Sequence, residues 1–183
     1  MSYTNGLDKP SDYFNTLLYT GDGSASARAF TGVGFQPDLV WLKARNQAYE
    51  HNWYDSVRGA NKVIGSSFTD AESSSGDLDS FDSDGFTITN SATYLNNASG
   101  VTHASWNWLA GGTASSNTDG DITSSVSANT TAGFSIVSYT GSATNPSTVG
   151  HGLGTAPAMI IVKNRSTSGR DWVIWHKSLG GAS

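Results

Sequence analysis

The sequence predicts an all-β protein: an antiparallel β-sandwich of the jelly-roll or lectin-like kind, present as one full unit plus the first half of a second repeat. Three observations lead there. Short apolar runs alternate with turn signals about every 8–12 residues, and no window shows a helical period. Roughly a quarter of the chain is Ser plus Thr, alongside 21 glycines, which suits short strands joined by turns. Finally, one block is written twice.

The block Thr31-Gly-Val-Gly-Phe-Gln-Pro-Asp-Leu-Val-Trp-Leu-Lys-Ala-Arg45 reads as a Gly-rich turn, a proline that opens a strand, and an apolar run. Leu39, Val40, Trp41 and Leu42 are apolar on both alternating faces, the pattern of a strand inside a core. Pro37 cannot donate to a ladder and so belongs at the strand's start. At an offset of 120, Gly32, Gly34, Pro37, Lys43 and Arg45 fall on Gly152, Gly154, Pro157, Lys163 and Arg165, and Tyr19-Thr-Gly21 falls on Tyr139-Thr-Gly141. Two inserted residues later, Trp53, Ser56, Gly59 and Ala60 fall on Trp175, Ser178, Gly181 and Ala182. Glycine at both places in both copies predicts backbone that a Cβ would strain. Trp41, whose counterpart is Ile161, is predicted to anchor the core. What repeats is a fold unit. The first copy continues to Gly112, whereas the second stops at Ser183. Apolar residues of the second copy therefore need cover from elsewhere: a longer chain or a partner subunit.

Taken in order, residues 1–14 form an N-terminal arm with turn signals and three aromatic anchors, Tyr3, Tyr13 and Phe14, expected to dock on a neighbour. Residues 15–112 form the first sandwich repeat, with strands at 15–20, 27–30, 39–42, 51–55, 61–65, 85–89 and 103–109. Residues 66–80 and 94–100 read as surface loops. In the last strand Ala104, Trp106 and Trp108 share one face, expected to be the core face, and His103, Ser105, Asn107 and Leu109 the other. Residues 113–132, Gly/Ser/Thr/Asn/Asp-rich, read as a linker. Residues 133–183 are the incomplete second repeat, with strands at 133–139, 159–162 and 170–176.

Net charge is −5 with no basic run, which argues against nucleic-acid binding through a phosphate-neutralising patch. There are no cysteines, so disulfide frameworks and thiolate metal sites are excluded. No apolar run reaches membrane-spanning length, and the polar start Met-Ser-Tyr-Thr-Asn predicts no signal peptide.

Several blocks occur in a fixed order: Tyr-Thr-Gly (19–21), Gly-Phe-Gln-Pro-Asp-Leu-Val-Trp-Leu-Lys (34–43), Asp-Ser-Val-Arg-Gly-Ala (55–60), Ser-Phe-Asp-Ser-Asp-Gly-Phe (80–86) and Ala-Ser-Trp-Asn-Trp-Leu-Ala (104–110). Together they resemble a repeat family in structural and tail-fibre proteins of marine tailed bacteriophages. The second copy, with Val-Gly-His-Gly-Leu-Gly (149–154) and Ile-Ile-Val-Lys-Asn-Arg (160–165), resembles the alternate form of that repeat. The resemblance spans residues 15–183. It implies a sandwich fold and a virion component, assembled in the bacterial cytoplasm and exposed on the particle, with other virion proteins as partners. It carries over no catalytic residues.

Candidate chemistry is sparse. Asp77, Asp79, Asp82 and Asp84, followed by Gly85, could wrap Ca²⁺, although no Glu closes the loop as in an EF-hand; turn chemistry explains the same residues. A glycosidase pair needs two facing carboxyls across a cleft, which spacing alone cannot show. His51, His103, His151 and His176 are scattered, and no Gly-x-Ser-x-Gly or His-Glu-x-x-His occurs. The sequence thus predicts no enzyme and no cofactor. Six tryptophans and seven tyrosines are the better lead. Most belong to the core, but Tyr49 and Tyr94, in polar loops, are the candidates for stacking on a host-surface glycan. The chain is expected to act by assembly, as a homotrimer in a tail fibre or appendage. Host recognition through glycan is the alternative, and an envelope-degrading enzyme the third reading.

Overall fold

The computed structural model describes residues 9–89 and 94–179. Tyr3, the Asn5–Gly6 turn and the Gly181–Ala182 pair of the repeat match lie outside the described residues. In chain order the strands are β1 (Phe14–Thr20), β2 (Arg28–Thr31), β3 (Leu39–Ala44), β4 (Asn52–Asp55), β5 (Ile64–Gly65), β6 (Leu78–Asp82) and β7 (Gly85–Ile88). They continue with β8 (Thr102–Trp108), β9 (Ser115–Asn117), β10 (Ser124–Asn129), β11 (Phe134–Tyr139), β12 (Met159–Lys163) and β13 (Trp172–His176). The described residues hold no α-helix, only a 3-10 turn at Pro10–Asp12.

The protein is all-β, as the period-2 runs predict. One antiparallel sheet has the order β1-β8-β3-β4-β5, and a second the order β2-β7-β6. Their inner faces meet in one core: Val40 and Leu42 of β3 and Tyr54 of β4 against Phe30 of β2, Phe86 and Ile88 of β7 and Leu78 of β6, with Val63 beside them. All but Phe30 and Val63 of these are at 0% exposure. Burying each such side chain contributes on the order of 1.5–3 kcal/mol. β3 lies between β8 and β4, the interior position that a run apolar on both faces requires.

The structure changes several assignments on the outer face. Trp41 is half-buried and lies outside the sandwich core, which β3 fills with Val40 and Leu42. In register with Trp53 of β4 and Trp106 of β8, its ring meets the first edge-on at 5.4 Å and the second at a tilt at 5.3 Å. Large rings on adjacent strands shed water against one another, so they need no second sheet. β8 is inverted for the same reason. Trp106 and Trp108 face outward, half-buried, while His103, Ser105 and Asn107 are inside at 1%, 0% and 0% exposure. The inner polar groups are partly satisfied: Asn107 donates to the Asn15 carbonyl at 3.1 Å and to Ser105 Oγ at 3.0 Å. His103 stacks on Tyr19 at 4.9 Å.

Three boundaries also move. Residues 9–14 are bonded to the sandwich of their own chain. Leu109 N–H donates to the Tyr13 carbonyl at 2.8 Å, β1 begins at Phe14, and Phe14 packs on Trp108 at 4.8 Å. The 66–80 loop ends early, because Asp77 and Leu78 are buried and β6 begins at Leu78. The stretch 113–132 is not an extended linker: it carries β9 and β10, which join β11 in a sheet of order β11-β10-β9. Ser124, Val126 and Ser127 are buried there. Small side chains let the backbones close up, and the Ser127 hydroxyl is satisfied on both sides, accepting from Gly111 N–H at 2.9 Å and donating to the Gly112 carbonyl at 2.8 Å. A polar composition hides this burial, because the hydroxyls bond to backbone.

β12 and β13 form a separate antiparallel pair. By the offset of 120, β11 corresponds to β1 and β12 to β3, with β13 following as β4 follows β3.

Candidate functional site

The β12–β13 pair is the most unusual surface of the molecule. Met159, Ile160, Ile161, Val162, Val173, Ile174 and Trp175 are 37–62% exposed. The contrast with the first copy is direct. Val40 and Leu42 of β3 are at 0%, while their counterparts Ile160 and Val162 are at 43% and 37%. β3 is flanked by β8 and β4 and covered by β2-β7-β6; among the described residues β12 has only β13 beside it. A contiguous apolar patch of this kind marks an interaction surface.

A cluster of ions holds this pair against the first unit. Arg165, just past β12, donates to Glu72 with two nitrogens, Nε to Oε2 at 2.9 Å and Nη2 to Oε1 at 3.1 Å. Glu72 Oε2 also accepts from Arg58 Nη1 at 3.1 Å. Arg58, its side chain 5% exposed, donates further to Asp55 and to the carbonyls of Lys62 and Trp53 at 3.0 and 3.1 Å. Burial alone would raise the Glu72 carboxyl, but hydrogen bonds from Arg165 and Arg58 outweigh it and hold Glu72 below its usual range. The same bonds raise Arg165. Backbone and aromatic contacts add to the joint. Glu72 N–H donates to the Arg165 carbonyl at 2.8 Å, Trp172 Nε1 donates to the Gly65 carbonyl at 3.1 Å, and Trp172 meets Trp53 edge-on at 5.0 Å. Nothing in the spacing of Glu72 and Arg165 announces this pairing. The nearest signal was the Asp-Ser-Val-Arg block that contains Asp55 and Arg58.

The four clustered aspartates diverge. Asp77 is buried and accepts from Tyr54 Oη at 2.7 Å and from Asn96 Nδ2 at 2.6 Å. Burial pushes its carboxyl up, although Tyr54 and Asn96 oppose this. Asp79 accepts from Thr89, and Asp82 from Ser80 and Thr87, both at 2.7 Å. Asp84 accepts from Gly32 N–H at 3.0 Å and Gly34 N–H at 2.6 Å, fastening the turn before β3. Each carboxylate thus serves a different local group. Among the described residues no three His, Asp or Glu side chains gather as metal ligands.

The remaining singled-out residues have structural surroundings. Gly32, Gly34, Gly152 and Gly154 adopt φ of 97°, 88°, 71° and 72°. Pro37 is buried just ahead of β3, and Pro157 is half-buried just ahead of β12. Tyr94 packs against the sandwich core instead of standing free in its loop, and Tyr49 is half-buried, its carbonyl accepting from Lys43 Nζ at 2.9 Å. The structure does not bring them out as an exposed pair. His151 and His176 each accept, through Nδ1, from a backbone N–H two residues on. No helix among the described residues is long and apolar enough to cross a membrane.

A family model described as a domain of unknown function (DUF7483) matches residues 9–183. No curated protein and no solved structure matches the chain.

Proposed function

The chain belongs to the DUF7483 family, and within it we propose a structural role: a component of a bacteriophage particle, in a tail fibre or appendage, that works by assembly. The observation that carries this reading is the bare β12–β13 face, whose counterpart in the first copy is core. A surface that reads like a domain interior cut open is the surface of an obligate contact. The ordered blocks at 34–43, 55–60, 80–86 and 104–110, similar to phage tail-fibre repeats, support the particle setting. Identical chains sharing such a face close most simply around an axis, and we propose a homotrimer, with other particle proteins at its ends.

A second reading, contact with host-surface glycan, draws on the outer face of the main sheet. There Trp53, Trp41 and Trp106 lie side by side on adjacent strands, Trp53 edge-on to Trp41 and Trp106 tilted against it, and remain half-buried. A cluster of aromatic rings on a sheet surface suits contact with the apolar faces of sugars.

Two measurements test these readings. Light scattering on the 183-residue protein is expected to give a trimer at micromolar concentration, and a Ile161→Lys/Val173→Lys variant to give a folded monomer. A wild-type monomer at about 1 mM would overturn the assembly reading, since that limit leaves less than about 4 kcal/mol of association. Antibody-labelled electron microscopy of particles is expected to decorate fibres or appendages, and unlabelled particles would overturn the particle setting.

A further inference from the structure

We propose that the gap between β11 and β12 is a binding slot for one extended strand of the β8 pattern, donated by a neighbouring polypeptide of the assembly; this rests on the assembly reading above. The first copy supplies the template. There β8 lies between β1 and β3, antiparallel to both, so that β1 and β3 never touch as a ladder. β8 sends His103 inward onto Tyr19, and Trp106 and Trp108 outward onto Trp41 and Phe14.

Among the described residues the second copy repeats both walls with no strand paired between them. Phe14, Tyr19, Lys43 and Arg45 have identical counterparts in Phe134, Tyr139, Lys163 and Arg165. β11 is hydrogen-bonded to β10 and β12 to β13, but not to each other. Across the opening a long side chain takes the place of a ladder: Arg165 Nη1 donates to Ser138 Oγ at 2.5 Å. Arg45, the counterpart of Arg165, marks where β8 enters, since its N–H donates to the Thr102 carbonyl at 2.7 Å. Tyr139, whose counterpart stacks on His103, is 42% exposed.

The walls also specify the occupant. β11 carries no charge, and the one charge on β12, Lys163, is taken up by the Thr69 and Asn164 carbonyls at 3.2 and 3.0 Å. An uncharged strand matches them, as Thr102–Trp108 matches β1 and β3. Register follows from the offset. In the first copy Ser105 lies between Leu17 and Leu42, and Trp106 between Thr16 and Trp41. The donated strand therefore places a small or polar residue between Val137 and Val162, and a tryptophan between Ile136 and Ile161. Main-chain bonds to two edges give the affinity, and alternate side chains give the register.

The test adds a synthetic peptide of residues 101–110 to the 183-residue protein and follows hydrogen exchange. A control peptide of the same composition exchanges the two alternating sets, so that tryptophans fall on the inner face. The expected result is one bound peptide per chain, with β11 and β12 amides exchanging at least about tenfold more slowly while β1 and β3 are unchanged. The control should bind at least about tenfold more weakly. Equal binding of both peptides, or no slowing at β11 and β12 with about 0.5 mM peptide, overturns the slot. So does protection of both edges without peptide that grows with protein concentration, because copies would then pair edge to edge. The light-scattering result stands apart from these: a monomer that binds the peptide keeps the slot and refutes the trimer.

Discussion

His103 is the residue whose burial has the clearest consequence. It is 1% exposed, and neither ring nitrogen finds a hydrogen-bond partner among the described residues. Burial, with Lys43 adding to it, pulls its pKa down to about 4. The unfolded chain therefore binds a proton below about 6.5 that the folded chain refuses until about 4. Stability is fully present above about 6.5 and falls as pH drops through that window toward 4. A His103→Phe variant, which keeps a ring against Tyr19, should flatten the melting temperature between those limits and match or exceed the parent at neutral pH. An unchanged slope in thermal scans across this window would refute the assignment. Two glycines give a matched pair. Gly85 has φ +152°, and a Cβ there would stand 1.9 Å from the Phe30 carbonyl oxygen; Gly34 has φ +88° with nothing within 4 Å. Gly34→Ala should cost about 1–2 kcal/mol from conformation alone, and Gly85→Ala clearly more, about 3 kcal/mol or above, in urea unfolding. At this scale the turn glycines before β3 and β12 were legible, because two copies keep them. The inward histidine was not, since an alternating strand does not say which face is core.

Among elements, the ion cluster between the first unit and the β12–β13 pair separates two roles. Arg58 is buried among Asp55, Glu72 and two carbonyls, and Arg58→Ala leaves the buried Asp55 carboxylate without its ion partner while Glu72 keeps Arg165, which should cost about 3–5 kcal/mol and lower global stability. Arg165→Ala touches only the joint. It should leave the melting of the sandwich nearly unchanged while speeding hydrogen exchange in β12 and β13. Because Glu72 is held below its usual pKa, this joint is secure above its unfolded value and is released as pH falls through the lowered one. Strand positions were legible where apolar alternation is strong, as in β3, β7 and β12. β9 and β10 were not, because Ser124, Ser127 and Ala128 bury little apolar surface and pack through backbone proximity. Trp41 was assigned to the core because a run apolar on both faces does not reveal that its outer face is covered by other tryptophans.

For the whole molecule, the all-β class was written in the sequence, because period-2 apolar runs recur between turn signals from Leu17 to Trp175. What the sequence could not give was how Glu72 reaches across some ninety residues to Arg165 (the bonded pair has a separation of 93), since a lone Glu and a lone Arg carry no pairing signal. That joint also has a mechanical meaning. β1 is fastened to β8 by a seven-residue antiparallel ladder, so force along the chain must break many bonds there together. β12 and β13 are fastened to the rest of the protein by side chains and a few isolated bonds, which yield one after another. Pulled between residues 9 and 179, the protein should extend in two steps, with the β12–β13 pair peeling at low force while the sandwich still resists. Arg165→Ala should weaken the first step and leave the second in place, and optical-tweezer traces with a single rupture would contradict this. Under load, Arg165 and Glu72 would act as a fuse that opens before the fold does.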